Sequence, residues 1–468
     1  MFKDTKLLSG KTLLAGTIDG YHLRSMLVTG ILPELRKMGC RIICLYPYPD
    51  MSFLAWYKGL GIEFKKIDIS RPAIPEWLLL ASVSGIFRSI TPGQNLIANS
   101  VNVSRKRRFV QVTAGTFLRS KRFLKVLERF IERYRNSADV KTFFNKTKID
   151  LFLSGTPGWK YPELPYLREA RKKKIPIICQ ILSWDNLTTS GPFFIKPDKL
   201  MLWNRHMKKL AIDHFGYEEN DLYITGSPQF DAYRNLKKSK ADAKNGLMDY
   251  LKIDKTRYKR IITFAGIPLC LAPFQGNVLR LLIEFISTLP YLNDVALVFR
   301  PHPQNEANSY IQSSGIKGFY INNPHAYLNN KGINNLLRWQ PDSDSLNELA
   351  LVMKGSDLVI TIASSITLDA AAVDTPVINF AFDISNKMPV GLLYESEHYK
   401  HITYSGSVDI AKSPEDLLKQ IRVALSEPSL KRKERLLLVE DICGKMNINA
   451  ATAQVEIIKN YLLNSENE

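Results

Sequence analysis

Four short segments carry residue types that can do chemistry. In Phe299-Arg300-Pro301-His302-Pro303 an apolar run ends in a guanidinium and an imidazole set between two prolines. Proline fixes its own φ and restricts the residue before it, so the backbone leaves few places for these two side chains. Arg300 can grip a phosphate through two parallel N–H bonds. His302 can donate to the same phosphate or share a proton with a leaving group. The plainer alternative is a structural turn with a hydrogen-bonded imidazole. In SDLVITIASSITLDAAA (356–372) a strand-like run meets Ser364-Ser365, and a helical pattern follows through Thr367 and Asp369. Small hydroxyl residues there leave the first helical N–H groups and the positive end of the dipole open to an anion. Asp369 falls about one turn further on, placed to accept hydrogen bonds from sugar hydroxyls. The alternative is that Ser364 or Ser365 simply caps the helix.

The other two segments lie in the first half. Gly16-Thr17-Ile18-Asp19-Gly20-Tyr21-His22 follows the first strand-like run. Asp19 or His22 can take a hydroxyl proton, and the two can pair so that the carboxylate orients the imidazole. An Asp-Gly pair is also an ordinary turn. Trp184-Asp185-Asn186, with Thr188 and Thr189, crowds polar groups just past another apolar run. Such groups are costly to bury without partners, so this loop is expected to line a binding site or a domain interface.

The elements that must position these residues read as α/β throughout. Short apolar runs alternate with longer helical patterns, the signature of parallel sheets covered by helices. Strands are expected at 12–16, 41–46, 62–67, 151–153, 176–181, 200–202 and 222–225, with a helix over 24–38 and another over 121–134. Residues 71–108 give no clear pattern and are expected to hold loops and helices. A polar stretch at 236–258 reads as a linker or connecting helix, and then the pattern restarts. Strands are expected at 260–264, 295–299, 358–362 and 376–380, with helices at 275–289, 305–312, 346–355, 367–373 and 414–425 and from 431 to 463 with a break near 442–449. At 468 residues the chain is too long for one core. The expected division is 1–240, 241–435, and C-terminal helices at 436–468 packing back on the first domain. Ligands of such folds bind where strand carboxyl ends open into a crevice.

The Arg300-Pro301-His302-Pro303 segment, the later Ser364-Ser365 turn with Asp369, and Pro376-Val377-Ile378 together resemble the C-terminal half of GT-B-fold transferases. The likeness runs over about 258 to 385. It is strongest to the CDP-glycerol glycerophosphotransferases of teichoic acid synthesis and to capsule and surface-polysaccharide glycosyltransferases. It implies two Rossmann-like domains facing across a cleft. It places Arg300, His302, Ser364 and Ser365 at the donor phosphates and the acceptor on the first domain; Gly266, Thr367 and Asp369 are further donor-binding candidates in this chain. Trp184-Asp185-Asn186 looks like a loop of surface-carbohydrate glycosyltransferases. Gly226-Ser227-Pro228-Gln229-Phe230-Asp231 resembles a Gly-x-Pro-x-x-Asp element near the hinge of this fold. The chain departs from the pattern at Ile362-Ala363-Ser364-Ser365, where the relatives have Asp-Tyr-Ser-Ser; this weakens the glycerophosphate assignment more than the fold.

Absences give a mechanistic direction. No pair of glutamates seven residues apart stands near Ser364 to Asp383, a pattern that retaining members of the fold often carry. An inverting displacement, with Asp19, His22 and His302 as catalytic candidates, is therefore expected. Asp342-Ser343-Asp344 reads as the start of a helix rather than as a metal loop, so no metal and no cofactor are expected. Arg338-Trp339-Gln340-Pro341 either meets a nucleobase or buries a core Trp. The expected partners are a nucleotide-activated sugar and a glycan or lipid-linked acceptor. The alternatives are a polyol-phosphate transferase, a nonhydrolysing nucleotide-sugar epimerase and a non-catalytic scaffold.

Composition agrees with a globular protein: 45% hydrophobic and 23% charged residues. No apolar run is long enough for a membrane span, and the N-terminus lacks the order of a secretion signal. The expected location is the cytoplasm, including the inner face of the plasma membrane. A net charge of +19 favours an anionic partner. No nucleic-acid-binding pattern accompanies it, so an anionic membrane surface ranks above nucleic acid. Cys40, Cys44, Cys179, Cys270 and Cys443 are expected to be reduced and to serve packing.

Overall fold

A computed structural model describes residues 7–69, 71–90, 105–311, 315–324, 339–341, 344–385 and 390–464. Arg338, Asp342 and Ser343 lie outside these residues. The chain divides into two compact units. Met1–Gln229 with Ile448–Glu468 form the first, and Phe230–Asn447 the second. The boundary falls inside the Gly226–Asp231 element. The helix Arg432–Cys443 belongs to the second unit, while Ala450–Asn464 returns to the first.

Among the described residues the first unit holds seven strands: β1 (Thr12–Ala15), β2 (Arg41–Tyr46), β3 (Glu63–Lys66), β4 (Leu151–Ser154), β5 (Ile177–Gln180), β6 (Lys199–Leu202) and β7 (Leu222–Ile224). All neighbours run parallel, in the order β3-β2-β1-β4-β5-β6-β7. Parallel strands are buried on both faces and therefore read as unbroken apolar runs. Side chains alternate between two cores. Leu13, Ala15, Leu151 and Leu153 join one, and Leu14 and Phe152 the other. The returning helix Ala450–Asn464 puts Val455, Ile458 and Leu462 into the first of these cores. Gln454 on that helix accepts from Gln180 at 2.8 Å and donates to Thr225 at 2.9 Å, inside the unit.

The second unit repeats the plan with β8 (Arg260–Ala265), β9 (Val295–Arg300), β10 (Phe319–Ile321), β11 (Leu358–Thr361), β12 (Val377–Phe380) and β13 (Asp409–Ala411). Its order is β10-β9-β8-β11-β12-β13, again parallel. In each sheet the first strand of the unit lies in the middle, with β1 between β2 and β4 and β8 between β9 and β11. These are the points where strand order reverses, and where doubly wound sheets bind ligands.

Several local expectations change. The helix expected over 24–38 is three pieces: Gly20–Leu23, a π-helical turn at Arg24–Val28, and Ile31–Lys37. Gly30, at φ 87°, breaks it, a backbone conformation that favours glycine. Among the described residues, the stretch 71–108 holds the long helix Ile74–Ile90 and the start of another, Arg105–Phe117. They approach so closely that a Cβ on Gly85 would lie 2.1 Å from the Gln111 carbonyl oxygen. The helix expected over 305–312 is a single turn at Ala307–Ser309 among the described residues. Cys270 is exposed, unlike the four buried cysteines, so the packing role expected of it does not hold. Burial pushes the Cys40 and Cys44 thiols up to about 12, as suits inert core residues.

Candidate functional site

The richest cluster lies at the carboxyl ends of β1 and β4, in the first unit. Asp19 ends the turn after β1 and caps the helix Gly20–Leu23, accepting from the backbone of Tyr21 at 3.0 Å and His22 at 3.3 Å. The same Oδ1 lies 2.7 Å from His22 Nδ1, and Oδ2 is ion-paired with Lys160. Both Asp19 and His22 are fully buried. Burial pushes the Asp19 carboxyl up, but Lys160 and His22 outweigh it and hold it well below the usual carboxylate range. With Nδ1 donating to the Asp19 carboxylate, an imidazole that carries a single proton has its lone pair on Nε2. That Nε2 is buried and makes no hydrogen bond among the described residues. A general base needs this arrangement.

The wall around the imidazole comes from the loop after β4, which the sequence reading did not single out. The His22 ring lies against Gly155, where a Cβ would stand 2.4 Å from its Cδ2 and 2.9 Å from its Nε2. Glu163 lies against Gly16 in the same way, 2.0 Å from where a Cβ would be. The Thr156 hydroxyl donates to Glu163. Burial pushes the Glu163 carboxyl up, against the lowering influence of His22, Thr156, Ser154 and the Gly155 N–H. The loop turns through Gly158 at φ 85°, a left-handed conformation that glycine adopts without strain. A glycine and hydroxyl cluster straight after a strand, Ser154-Gly155-Thr156-Pro157-Gly158, was the available signal.

Trp184, Asp185 and Asn186 sit after β5. Trp184 is buried. Asn186 Oδ1 accepts from the Ser183 N–H at 3.0 Å, and Asp185 accepts from the Ser183 and Thr189 hydroxyls. The polar groups that looked costly therefore satisfy one another around the short helix Asn186–Thr189.

In the second unit, Gly266 follows β8, Arg300 ends β9, and Ser364-Ser365 follow β11. The fold thus brings the expected donor-side residues to one end of one sheet, around its reversal point. Their environments differ from expectation. Arg300 is buried and pairs through Nη1 with Glu348 at 3.0 Å and with Asn322, while Asn322 itself donates to Glu348 at 2.8 Å. The charge expected to grip a phosphate is thus matched internally by Glu348. His302 is half-buried and accepts at Nδ1 from the Gln304 N–H at 3.2 Å. Asp369 is buried and accepts from the Tyr233 hydroxyl at 2.7 Å. Thr367 is fully buried, its hydroxyl 3.0 Å from that of Tyr399 and 3.3 Å from Asn379 Oδ1.

Ser364 and Ser365 remain half-buried at the start of the short helix Ile366–Ala371. Ala363 before them has φ 36°, an unusual left-handed conformation for a residue with a Cβ. Its N–H donates to the Tyr394 hydroxyl at 3.2 Å, which in turn donates to the Phe380 carbonyl at 2.7 Å. Beside Gly266, the buried Gln275 clamps the loop with bonds to both backbone groups of Ile267. The Tyr310 hydroxyl ties that loop to the one after β9. Gln275, Tyr310, Tyr394 and Tyr399 were not visible as site residues in the sequence, because their roles depend on partners far along the chain. Trp339 is buried, and Asp344 directly precedes the helix Ser345–Gly355.

No family model matches the chain, and no curated protein matches it at the sequence level. Solved structures do. A UDP-GlcNAc 2-epimerase from Neisseria meningitidis, bound to UDP-GlcNAc, is 12% identical with a TM-score of 0.55, covering 96% of this chain and 100% of its own. A UDP-GlcNAc 2-epimerase from Methanocaldococcus jannaschii is 14% identical with a TM-score of 0.52, covering 96% and 99%. The wall teichoic acid polymerase TagF is 14% identical with a TM-score of 0.51, covering 98% of this chain and 91% of its own. The chain has a GT-B glycosyltransferase-like fold built of two Rossmann-like domains. Among the described residues no helix is long and apolar enough to cross a membrane.

Proposed function

We propose that the protein is a glycosyltransferase that moves a sugar from a nucleotide-activated donor to a cell-surface glycan or lipid-linked acceptor. The observation that carries this reading is the buried Asp19–His22 pair at the reversal point of the first sheet, with Nε2 making no hydrogen bond among the described residues. In this reading the acceptor hydroxyl meets His22 Nε2 and gives it a proton as its oxygen attacks the anomeric carbon. The bond from that carbon to the donor phosphate breaks, and the nucleotide leaves with the electron pair. Asp19 holds the imidazole and stabilises the imidazolium that forms, while Lys160 keeps Asp19 ionised. A single base of this kind fits an inverting displacement that needs no metal.

The second unit binds the donor. Gly266, Ser364 and Ser365 lie nearest the expected phosphates, with His302 beside them. Arg300, Thr367 and Asp369 shape that site from beneath through Glu348, Tyr399 and Tyr233. The Trp184-Asp185-Asn186 loop belongs to the acceptor side. The chain works in the cytoplasm at the inner face of the membrane, in assembly of a surface polysaccharide such as capsule or lipopolysaccharide.

A panel of UDP-, GDP-, CMP- and CDP-linked compounds tests the reading by thermal shift and by donor hydrolysis. One nucleotide class is expected to stabilise the wild-type chain. His22→Asn is expected to keep that stabilisation and lose turnover. Stabilisation by no nucleotide defeats the reading, as does full turnover without His22. A donor sugar inverted at one centre with no acceptor present favours an epimerase, the activity named for two of the structural neighbours. Transfer of glycerol phosphate from a CDP-linked donor favours a polyol-phosphate transferase.

A further inference from the structure

The region between β3 and β4 carries a surface that the transfer chemistry does not use. Three of its described helices, Ile74–Ile90, Arg105–Phe117 and Lys121–Arg133, form that surface, and the first packs against both of the others. They leave large apolar side chains in solvent. Phe109 is 72% exposed, Phe117 80% and Phe130 60%, and Val112, Phe123 and Val126 are exposed with them. Scattered apolar residues are normal on a surface, but several phenylalanines on adjoining helices mark a contact site.

Helical geometry shows how the face is made. At about 100° per residue, the apolar arc of Lys121–Arg133 runs from Leu124 and Ile131 through Leu127 to Phe123, Phe130 and Val126. Leu124 and Ile131 are buried, and Phe123, Val126 and Phe130 are not. Only one edge of the arc is used by the core. Beside the exposed edge lie Arg122, Arg129 and Arg133, all exposed. On Arg105–Phe117 the same reasoning puts Arg105 and Arg108 next to Phe109 and Val112. Between 105 and 133 there are ten Lys and Arg against two Glu, a net charge of +8.

We infer that these helices form a docking surface for an anionic lipid bilayer, with phenylalanines entering the interface and arginines meeting phosphate headgroups. A basic polar edge beside an aromatic apolar edge is the pattern of helices lying in a membrane surface. Each added cation strengthens binding to anionic lipid. The excess of positive charge favours a bilayer over a protein patch, because ten cations against two glutamates suit a headgroup layer that is anionic throughout. The surface is also wired to the acceptor-side cluster. Glu76, near the start of Ile74–Ile90, accepts from the Tyr161 hydroxyl at 2.6 Å, and Tyr161 follows the Lys160 that holds Asp19. Docking thus suits a lipid-linked acceptor. That purpose rests on the transferase reading, but the docking itself does not.

Flotation of the full chain with vesicles tests it without donor or turnover. Vesicles of phosphatidylcholine alone are compared with vesicles containing about one third phosphatidylglycerol. The wild-type chain is expected to float with the anionic vesicles and to be weakened, not abolished, by raised salt. Phe123→Ser with Phe130→Ser is expected to weaken binding by about tenfold or more, as is Arg122→Glu with Arg129→Glu. Leu436→Ser with Leu437→Ser, at exposed positions of the second unit, is expected to leave binding unchanged. Circular dichroism and melting confirm that each variant is folded. Failure of the wild type to float overturns the proposal, as does unchanged flotation of the phenylalanine variant. A wild-type chain that does not float but is a dimer, and becomes monomeric in that variant, gives the surface to a second copy instead.

Discussion

Asp19 Oδ1 and His22 Nδ1 lie 2.7 Å apart inside the first unit, and the same carboxylate caps the helix that carries His22. One side chain therefore fixes both the position of the imidazole and its tautomer. Asp19→Asn can still cap the helix but can no longer hold the ring as an anion does. Its expected effects are a fall in turnover of roughly 10²–10⁴ and a stability loss of about 1–3 kcal/mol, since Lys160 also loses its partner. Because folding lowers the Asp19 pKa, its stabilising contribution is present at neutral pH and is lost as pH falls below the usual carboxylate value of 3.8. Melting of wild type and Asp19→Asn from neutral to acid pH should therefore converge. Curves that stay a constant distance apart contradict the ionised pair.

Gly155→Ala tests how closely the imidazole is seated. The new Cβ would overlap His22 Cδ2 at 2.4 Å, so the ring must move. Turnover is expected to drop by roughly 10²-fold, with a cost of about 1–3 kcal/mol in stability. Nucleotide binding, read by thermal shift, is expected to persist, because the residues proposed to meet the donor are in the other unit.

Arg300 separates structure from ligand binding. Removing it leaves Glu348 buried without its cation, which typically costs about 3–5 kcal/mol. Arg300→Met is therefore expected to lower Tm sharply, and Arg300→Met with Glu348→Leu to recover much of the loss. If the double variant also regains donor affinity, Arg300 acts by holding the loop after β9. If stability returns and affinity does not, the guanidinium touches the donor.

Glu128 gives a pH signature at the basic surface. Burial and the like charge of Glu132 raise its pKa to about 7, against the pull of Lys125 and Lys196. A carboxyl raised on folding contributes stability that is fully present below its unfolded pKa, near 4.5, and is lost as pH rises through about 7. Glu128→Gln is expected to be neutral near pH 4 and to stabilise by about 1–2 kcal/mol at pH 8. Urea unfolding at the two pH values reads this directly, and an equal effect at both contradicts the assignment.

Much of the fold was legible in the chain itself. Parallel strands buried on both faces must be short apolar runs, so Leu13-Leu14, Ile42–Leu45 and Val295–Phe299 declare themselves. The periodicity of Lys121–Arg133 declares a helix. Elements with weaker patterns were missed, such as β10 and β13 of three residues each at the ends of the second sheet. In 71–108 the helix Ile74–Ile90 carries apolar residues on both its buried and its exposed faces, with Leu80, Val83 and Phe87 in the core and Ile74 and Leu78 in solvent, so no clean alternation of polar and apolar faces announced it.

The sequence by itself determined which residue types stand at the strand ends, because strand, turn and cap are set by neighbours a few positions away. It placed Asp19 three residues before His22, and that spacing was enough to suggest a pair. Only the tertiary structure decided what those residues do with their charge. Lys160 reaches Asp19 from 141 residues away. Glu348 neutralises Arg300 across 48 residues, and Tyr233 takes Asp369 across 136. Such partners carry no local signature, since a side chain's electrostatic environment is set by distance in space and exclusion of water, and neither is written in the order of the chain.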